Sequence, residues 1–304
     1  NLTFCSATAT GNWRLAMAAI SQIITENVEG VRATAQVSPG GETESIMGVR
    51  DGILHGGVTV PLMAERFAKG GSEPFIEPFQ VNHWLNLGDQ YWNTLVAKES
   101  GITTIDQFVG KRIAVASPGT VNHIFNDETV FPAHGFSMDD IEPEYIDTST
   151  AIEHIKDGNI DGMAHCRGFS GAIVELTMAR DIVLAQPTEE AIKIISEKHP
   201  WAGPVEMPKD LYPDLEIPDP GLVFLVPFAA YLAPDLPEDL AYVMTKAVFE
   251  NFEVLQNSAD VYKDLDPNSA LNGASELYPP HKGALRYYKE VNIPGWEEWE
   301  HLLD

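Results

Sequence analysis

A two-lobed α/β fold is expected for this chain, and three observations predict it. Strand-like and helix-like segments alternate through residues 1–200, which implies largely parallel sheets flanked by helices. The 304 residues exceed the usual size of one domain, and a hydrophobic content of 44% is enough for two cores. Two extended segments, Tyr91 to Ala97 and Gly221 to Ala230, are placed to carry the chain out of one lobe and back. The lobes are then residues 1–95 with 227–304, and residues 96–226, each a mostly parallel sheet with helices, joined by two hinge strands.

The elements follow in order. A strand from Leu2 to Ala7 leads to a helix from Trp13 to Asn27, with Leu15, Ala19, Ile20, Ile23 and Ile24 on one face at a 3.6-residue period. Alternating Val31, Ala33, Ala35 and Val37 predict a strand, followed by a helix over Thr43–Arg50 and a strand over Leu54–Val60. A helix over Leu62–Lys69 stops at Gly70-Gly71, because glycine accepts the left-handed conformation that ends helices. Val81 to Leu87 and Tyr91 to Ala97 read as two separate extended stretches.

The second set begins with Thr103-Thr104 capping a short helix, Ile105–Val109. Strand Arg112–Ala116, helix Val121–Ala133, strand Glu144–Ile146, helix Thr150–Asp157 and strand Ile160–Cys166 come next. Helix Gly171–Ala179, strand Ile182–Ala185 and helix Glu189–Lys198 complete the repeat. Pro200, Pro204, Pro208, Pro213, Pro218 and Pro220 then fix an extended strap that excludes regular helix. Beyond it lie a strand over Gly221–Leu232, a helix over Pro237–Gln256 and a last helix over Gly283–Val291.

Forty-five acidic against 19 basic residues, a net charge of −26, exclude nucleic acid, whose phosphates need a basic footprint. The acidic residues are scattered, as on a solvated surface. No apolar run reaches the roughly 18 residues that a membrane span needs, and the chain begins directly in a strand, as either a secreted protein with its signal peptide removed or a trimmed chain would. Cys5 and Cys166 both fall late in strands, where buried free thiols are expected, and their spacing leaves a bridge undecided.

The sequence contains no G-x-G-x-x-G, P-loop, H-E-x-x-H or G-x-S-x-G motif, so no cofactor, metal or catalytic residue is expected. His165 and Cys166 are neighbours on a strand and point to opposite faces. An enzyme on the same scaffold is the alternative, with His123, His165 and Cys166 as its candidates.

Four small-residue loops each join a strand to a helix: Thr8 to Asn12, Ser38-Pro39-Gly40-Gly41, Ser117-Pro118-Gly119-Thr120 and Gly168-Phe169-Ser170-Gly171. A helix N-terminus leaves amide N–H groups unpaired and carries about half a positive charge. Several such termini converging on one cleft make a site for a small anion, outside the carboxyl ends of the strands. Arg167 is placed to clamp a carboxylate with two hydrogen bonds, or to form an ion pair. Asn12 is a ligand contact or a cap, and Trp13, Trp84 and Trp92 are site walls or core.

The ordered set of Thr10-Gly11, Ser38 to Glu44, Gly110 to Val115 with Ser117 to Thr120, Lys156 to Gly162 with Gly168, Thr245 to Asn251 and His281 to Tyr288 resembles the TAXI family. These are the TRAP-associated extracytoplasmic immunogenic solute-binding proteins. The resemblance implies a type II, periplasmic-binding-protein-like fold and a periplasmic, two-lobed receptor; a monomer is expected. It would deliver a small carboxylate such as glutamate or 2-oxoglutarate to the membrane subunits of a TRAP transporter. Carried onto matching positions, it implies contacts from Thr10, Asn12 and Trp13, from Gly40, Gly41 and Glu42, from Ser117, Pro118, Gly119 and Thr120, and from Arg167, Gly168, Phe169 and Ser170. Two departures stand out. Family members often read Pro-Gly-Ser-Gly-Thr where this chain has Pro118 to Asn122, and often carry tyrosine where Arg14 stands. Glu42 either repels a carboxylate or grips an ammonium group. A ligand-sensing partner of a signalling receptor would share all of these features.

Overall fold

Strand β1 (Leu2–Cys5), helix α1 (Asn12–Asn27), β2 (Ala33–Gln36), α2 (Gly41–Arg50), β3 (Gly56–Thr59) and α3 (Pro61–Lys69) open the chain. The computed structural model describes residues 1–6, 12–38, 40–166 and 171–304. They fall into two units, Asn1–Gly88 with Pro227–Asp304, and Asp89–Val226.

In the first unit β1 pairs in parallel with β2 on one side and β3 on the other. Helix α1 buries Ala16, Met17, Ala19, Ile20, Ile23 and Ile24, while Leu15, expected on that face, is only half-buried. Strand β2 is shorter than the alternation predicts, and Val37 beyond its end is 41% exposed. It is an edge strand, and Thr25 of α1 takes the Ala33 amide through its hydroxyl at 2.9 Å, which blunts that edge. Pro61 begins α3, where a missing N–H costs nothing, and Gly70 ends it at φ +66°.

Strand β4 (Asn82–Ala97) is one continuous strand of 16 residues, not the two stretches expected. Gly88-Asp89-Gln90 reads as a break, but Gly88 adopts φ +95°, a conformation only glycine takes cheaply, and the strand runs on.

The second unit contains β5 (Arg112–Ala114), α4 (Val121–Phe125), α5 (Phe131–Ala133), β6 (Glu142–Glu144), α6 (Thr148–Lys156), β7 (Gly162–Cys166), α7 (Gly171–Ala179), β8 (Ile182–Leu184), α8 (Glu189–Lys198), β9 (Gly203–Glu206) and β10 (Leu215–Glu216). Strand β5 pairs in parallel with β6 and β7, whereas β4 runs antiparallel to both β7 and β8. Leu95, Ala114, Ile152, Ile155, Met163, Ile173, Leu176 and Leu184 form its core. The short helix after Thr104 is a 3-10 turn, Ile105–Phe108, closed by a Thr104/Gln107 capping box.

The helix expected over Val121–Ala133 is interrupted by a π-helical stretch, Asn126–Val130. Pro132 accounts for it: proline has no N–H for the Glu128 carbonyl and its ring crowds that oxygen. Lys198 from the end of α8 donates to the Glu128 carbonyl at 2.8 Å. The proline-rich strap forms no helix, and β9 and β10 are its only strands.

Strand β11 (Leu222–Leu232) returns the chain, its residues Ala229 to Leu232 pairing antiparallel with β3. Both β4 and β11 pass from one unit to the other. Helices α9 (Glu238–Glu250), α10 (Phe252–Gln256) and α11 (Lys282–Glu290) follow. The single helix expected over Pro237–Gln256 breaks at Asn251, whose side chain donates to the Ala247 carbonyl at 2.8 Å and competes with the backbone ladder. Helices α9 and α11 meet at Gly283, where a Cβ would lie 2.8 Å from Ala241 Cβ and closer still to the Glu238 carbonyl oxygen. Trp84 is fully buried beneath them: its indole N–H donates to Thr245 Oγ1 at 2.8 Å, and its ring stacks on Phe4.

Candidate functional site

In the first unit the loop after β2 turns into α2. Ser38 is buried at 5% exposure, and its hydroxyl donates to Glu44 Oε2 at 2.6 Å. The Gly40 amide donates to the same oxygen, also at 2.6 Å. Two donors of this loop thus converge on one carboxylate oxygen, and that carboxylate belongs to the chain itself. A Cβ at Gly40 would sit 2.9 Å from Glu44 Cβ, so glycine makes the approach possible. The bond from Ser38, reinforced by that from Gly40, holds the Glu44 carboxyl below the usual carboxylate range.

Gly41 begins α2 at φ +66°, and its amide donates to the Ser38 carbonyl at 3.0 Å. Glu42 stands in the first turn of α2, 1% exposed, where the positive end of the helix favours a carboxylate. Its charge adds to burial in suppressing ionisation of Tyr231. Asn12 is the first residue of α1, and Trp13 beside it is half-buried with its ring centroid 4.3 Å from that of Phe228. Thr10 and Pro39 lie outside the described residues.

In the second unit the loop after β5 starts under backbone strain. Ala116 is buried and held at φ +67°, a left-handed conformation that costs a non-glycine residue about 1–2 kcal/mol. Ser117 to Thr120 form a turn with Pro118 second and Gly119 third at φ +84°, the residue order of a type II turn. Thr120 caps α4: its Oγ1 accepts from the His123 amide at 3.4 Å and donates to the Ser117 carbonyl at 2.7 Å. The Thr120 hydroxyl is therefore engaged within the turn. Arg167, Gly168, Phe169 and Ser170 lie outside the described residues.

Behind this loop, Asn126 donates to the Ala164 carbonyl at 2.7 Å, and Thr148 Oγ1 lies 2.8 Å from His165 Nδ1. These contacts tie α6 and the helical segment after Thr120 to β7. His165 is fully buried, which takes its ring out of contact with a solute in solution. His123 packs edge-on to Tyr145 at 5.5 Å, and burial lowers its pKa against the pull of Asp127 and Glu128. The Cys166 side chain lies outside the described residues, and Cys5 is fully buried.

Trp84 belongs to the core rather than to a site wall. Trp92 is 2% exposed and stands edge-on to Phe125 at 4.5 Å. His199 and Trp201 join that aromatic group, with ring centroids 4.9 Å apart. Neither is singled out by the sequence, where His199 follows the end of α8 and Trp201 is hidden in the proline-rich strap. The role of Glu44 is equally hidden, although an acidic residue one turn into a helix is the usual partner of a capping loop. Among the described residues, no helix is long and apolar enough to cross a membrane, and no cluster of three or more His, Cys, Asp or Glu is arranged for a metal.

The NMT1-like family matches residues 4–291, and the chain belongs to it. No curated protein matches. Among solved structures, the chain is similar to the protein assigned as the periplasmic sulfonate-binding protein SsuA of Methylobacillus flagellatus KT, with 13% identity, 97% of this chain and 96% of that one covered, and a TM-score of 0.51. It is similar also to the periplasmic binding protein BugD, at 12% identity, 98% and 95% coverage and a TM-score of 0.52. A protein of Listeria monocytogenes assigned to an L-cystine ABC transporter matches at 12% identity, 88% and 97% coverage and a TM-score of 0.52. The α/β fold of this chain is that of the periplasmic binding proteins.

Proposed function

Starting from a member of the NMT1-like family with a binding-protein fold, we propose that the protein is an extracytoplasmic receptor for a small organic anion. A dicarboxylate, keto acid or acidic amino acid fits best, and no bond is broken. The observation that carries this reading is the convergence of the Ser38 hydroxyl and the Gly40 amide on one carboxylate oxygen. That loop binds a carboxylate in the folded protein, so its chemistry suits one. Each charge-assisted hydrogen bond to a buried carboxylate contributes roughly 1.5–3 kcal/mol, and a few of them reach micromolar affinity.

A net charge of −26 does not oppose such a ligand. Surface charges are screened beyond roughly 8–10 Å, whereas oriented N–H groups act at contact distance. The residues proposed to touch the solute are Thr10, Asn12, Trp13, Gly40, Gly41, Glu42, Ser117, Pro118, Gly119, Thr120, Arg167, Gly168, Phe169 and Ser170. Arg167 supplies the compensating positive charge.

The TAXI-like motifs support the membrane subunits of a TRAP transporter as the partner. The assignment of a structural neighbour to an ABC transporter favours a second reading, an ABC permease as the recipient. Calorimetric titration of ligand-free protein with 2-oxoglutarate, glutamate and ethanesulfonate tests the solute class. Saturable binding of a carboxylate, weakened roughly tenfold by Arg167→Ala, is the expected result. Binding of ethanesulfonate alone, or of none of the three, would overturn it. Mass spectrometry of the incubated mixture separates receptor from enzyme, because a receptor returns its solute unchanged.

A further inference from the structure

The donors at Ser38 and Gly40 are not vacant, since the Glu44 carboxylate fills both at 2.6 Å. We propose that Glu44 is a built-in occupant of this loop, and that a solute carboxylate engages Ser38 and Gly40 only by displacing it. The inference rests on the receptor reading above and adds to it a residue that sets affinity and selectivity.

Three features support displacement over a fixed structural role. Glu44 is exposed, so its side chain can swing into solvent without disturbing the core. Ser38, by contrast, is buried at 5% exposure and stays where it is. The loop without Glu44 would hold a buried hydroxyl and a backbone amide aimed at one point, which is half of a carboxylate receptor. Glycine at position 40 lets a carboxylate oxygen approach to 3.0 Å from where a Cβ would stand.

The energetic consequence follows from competition. An internal carboxylate on the same helix has a high effective concentration, and the apparent affinity for an external one falls by the fraction of time the loop stands open. Glu44 then acts as a threshold. Anions with one carboxylate, bound through other contacts, are unaffected, while those needing a second anchor at Ser38 pay for the displacement. Glu44 also gives the buried Ser38 hydroxyl an acceptor in the unliganded protein.

Chemical rescue tests the inference without knowledge of the natural solute. Thermal unfolding is followed for wild type, Glu44→Ala and the double variant Ser38→Ala/Glu44→Ala, with acetate replacing chloride at constant ionic strength. The expected result is a saturable rise in the melting temperature of Glu44→Ala with acetate, absent in wild type and in the double variant. An unresponsive Glu44→Ala protein, or an equal response in the double variant, would overturn the inference. Should Glu44→Ala fail to fold, Glu44→Lys with the same titration removes the internal anion while keeping a long helical side chain, and the same outcomes decide. A parallel titration with 2-oxoglutarate separates this inference from the receptor reading. Tighter binding by Glu44→Ala, roughly tenfold, supports both. Acetate rescue with no 2-oxoglutarate or glutamate binding by any variant leaves Glu44 as the occupant and removes the receptor reading.

Discussion

Ser45 Oγ and Tyr231 OH lie 2.6 Å apart in the interior of the first unit, joining residues 186 positions apart in the chain. The bond fastens α2 to β11 across β3. Gly57 of β3 allows it, because a Cβ there would stand 2.8 Å from Ser45 Oγ and 2.9 Å from Tyr231 OH. Ser45→Ala and Tyr231→Phe are each expected to cost about 1–2 kcal/mol, with the double variant losing less than the sum. Gly57→Ala adds steric displacement and is expected to cost about 1–3 kcal/mol. Urea unfolding of the four proteins checks these values.

Ala116 offers a test of backbone strain at the head of the 117–120 loop. A β-branched side chain at φ +67° is worse than alanine, so Ala116→Val is expected to lose on the order of 1–2 kcal/mol in urea unfolding. Ala116→Gly relieves the strain but frees the unfolded chain by about 0.5–1 kcal/mol, which leaves an expected net gain of about 0.5–1 kcal/mol. A large gain from glycine would show that the strain is greater than the conformation implies.

Buried histidines predict acid sensitivity. Burial pushes His83 down to about 4, against the hydrogen bond to the Asn272 carbonyl that favours its charged form. The folded protein therefore resists a proton that the unfolded chain accepts near pH 6.5. Stability is full above that value and is lost as pH falls through 6.5 towards 4, by on the order of 3 kcal/mol from this residue. Burial lowers His134 and His281 as well, with the same sign. Urea midpoints at about pH 7.5 and about pH 5 are expected to differ by less in His83→Gln than in wild type. Equal differences in the two proteins would remove His83 as a source.

The acidic surface predicts a response to salt. With 45 acidic and 19 basic residues, self-repulsion among surface carboxylates weakens the folded state. Raising sodium chloride from about 0.1 M to about 1 M shortens the screening length from roughly 10 to 3 Å. The melting temperature is expected to rise across that range, and a fall would show that specific ion pairs outweigh the repulsion.

Most strands and helices are legible in the sequence because each has a local cause: an apolar period, an alternation, glycines at the helix ends; β9 and β10, inside the proline-rich strap, are not. The misreadings arise where a distant or unusual partner decides. Gly88 allows β4 to continue through a polar triplet, and Asn251 breaks a helix whose apolar spacing continues to Val254. Leu15 loses its buried place to Ala16 and Met17, since the sheet beneath α1 chooses the face. The loops at 38–41 and 117–120 can be located by residue type alone. That Glu44 folds back onto Ser38 cannot, because it depends on a side-chain rotamer, which residue type and spacing do not fix.

The first unit is discontinuous, built from Asn1–Gly88 and Pro227–Asp304. During synthesis its leading half emerges with one side of β3 bare, and the strand that covers it arrives only after residues 89–226 have been made. The second unit is contiguous and can mature meanwhile. Ribosome-stalled chains ending before Ala229 would therefore carry an open strand edge prone to sticking to neighbours. The interval before β11 emerges is when a holding chaperone has most to shield.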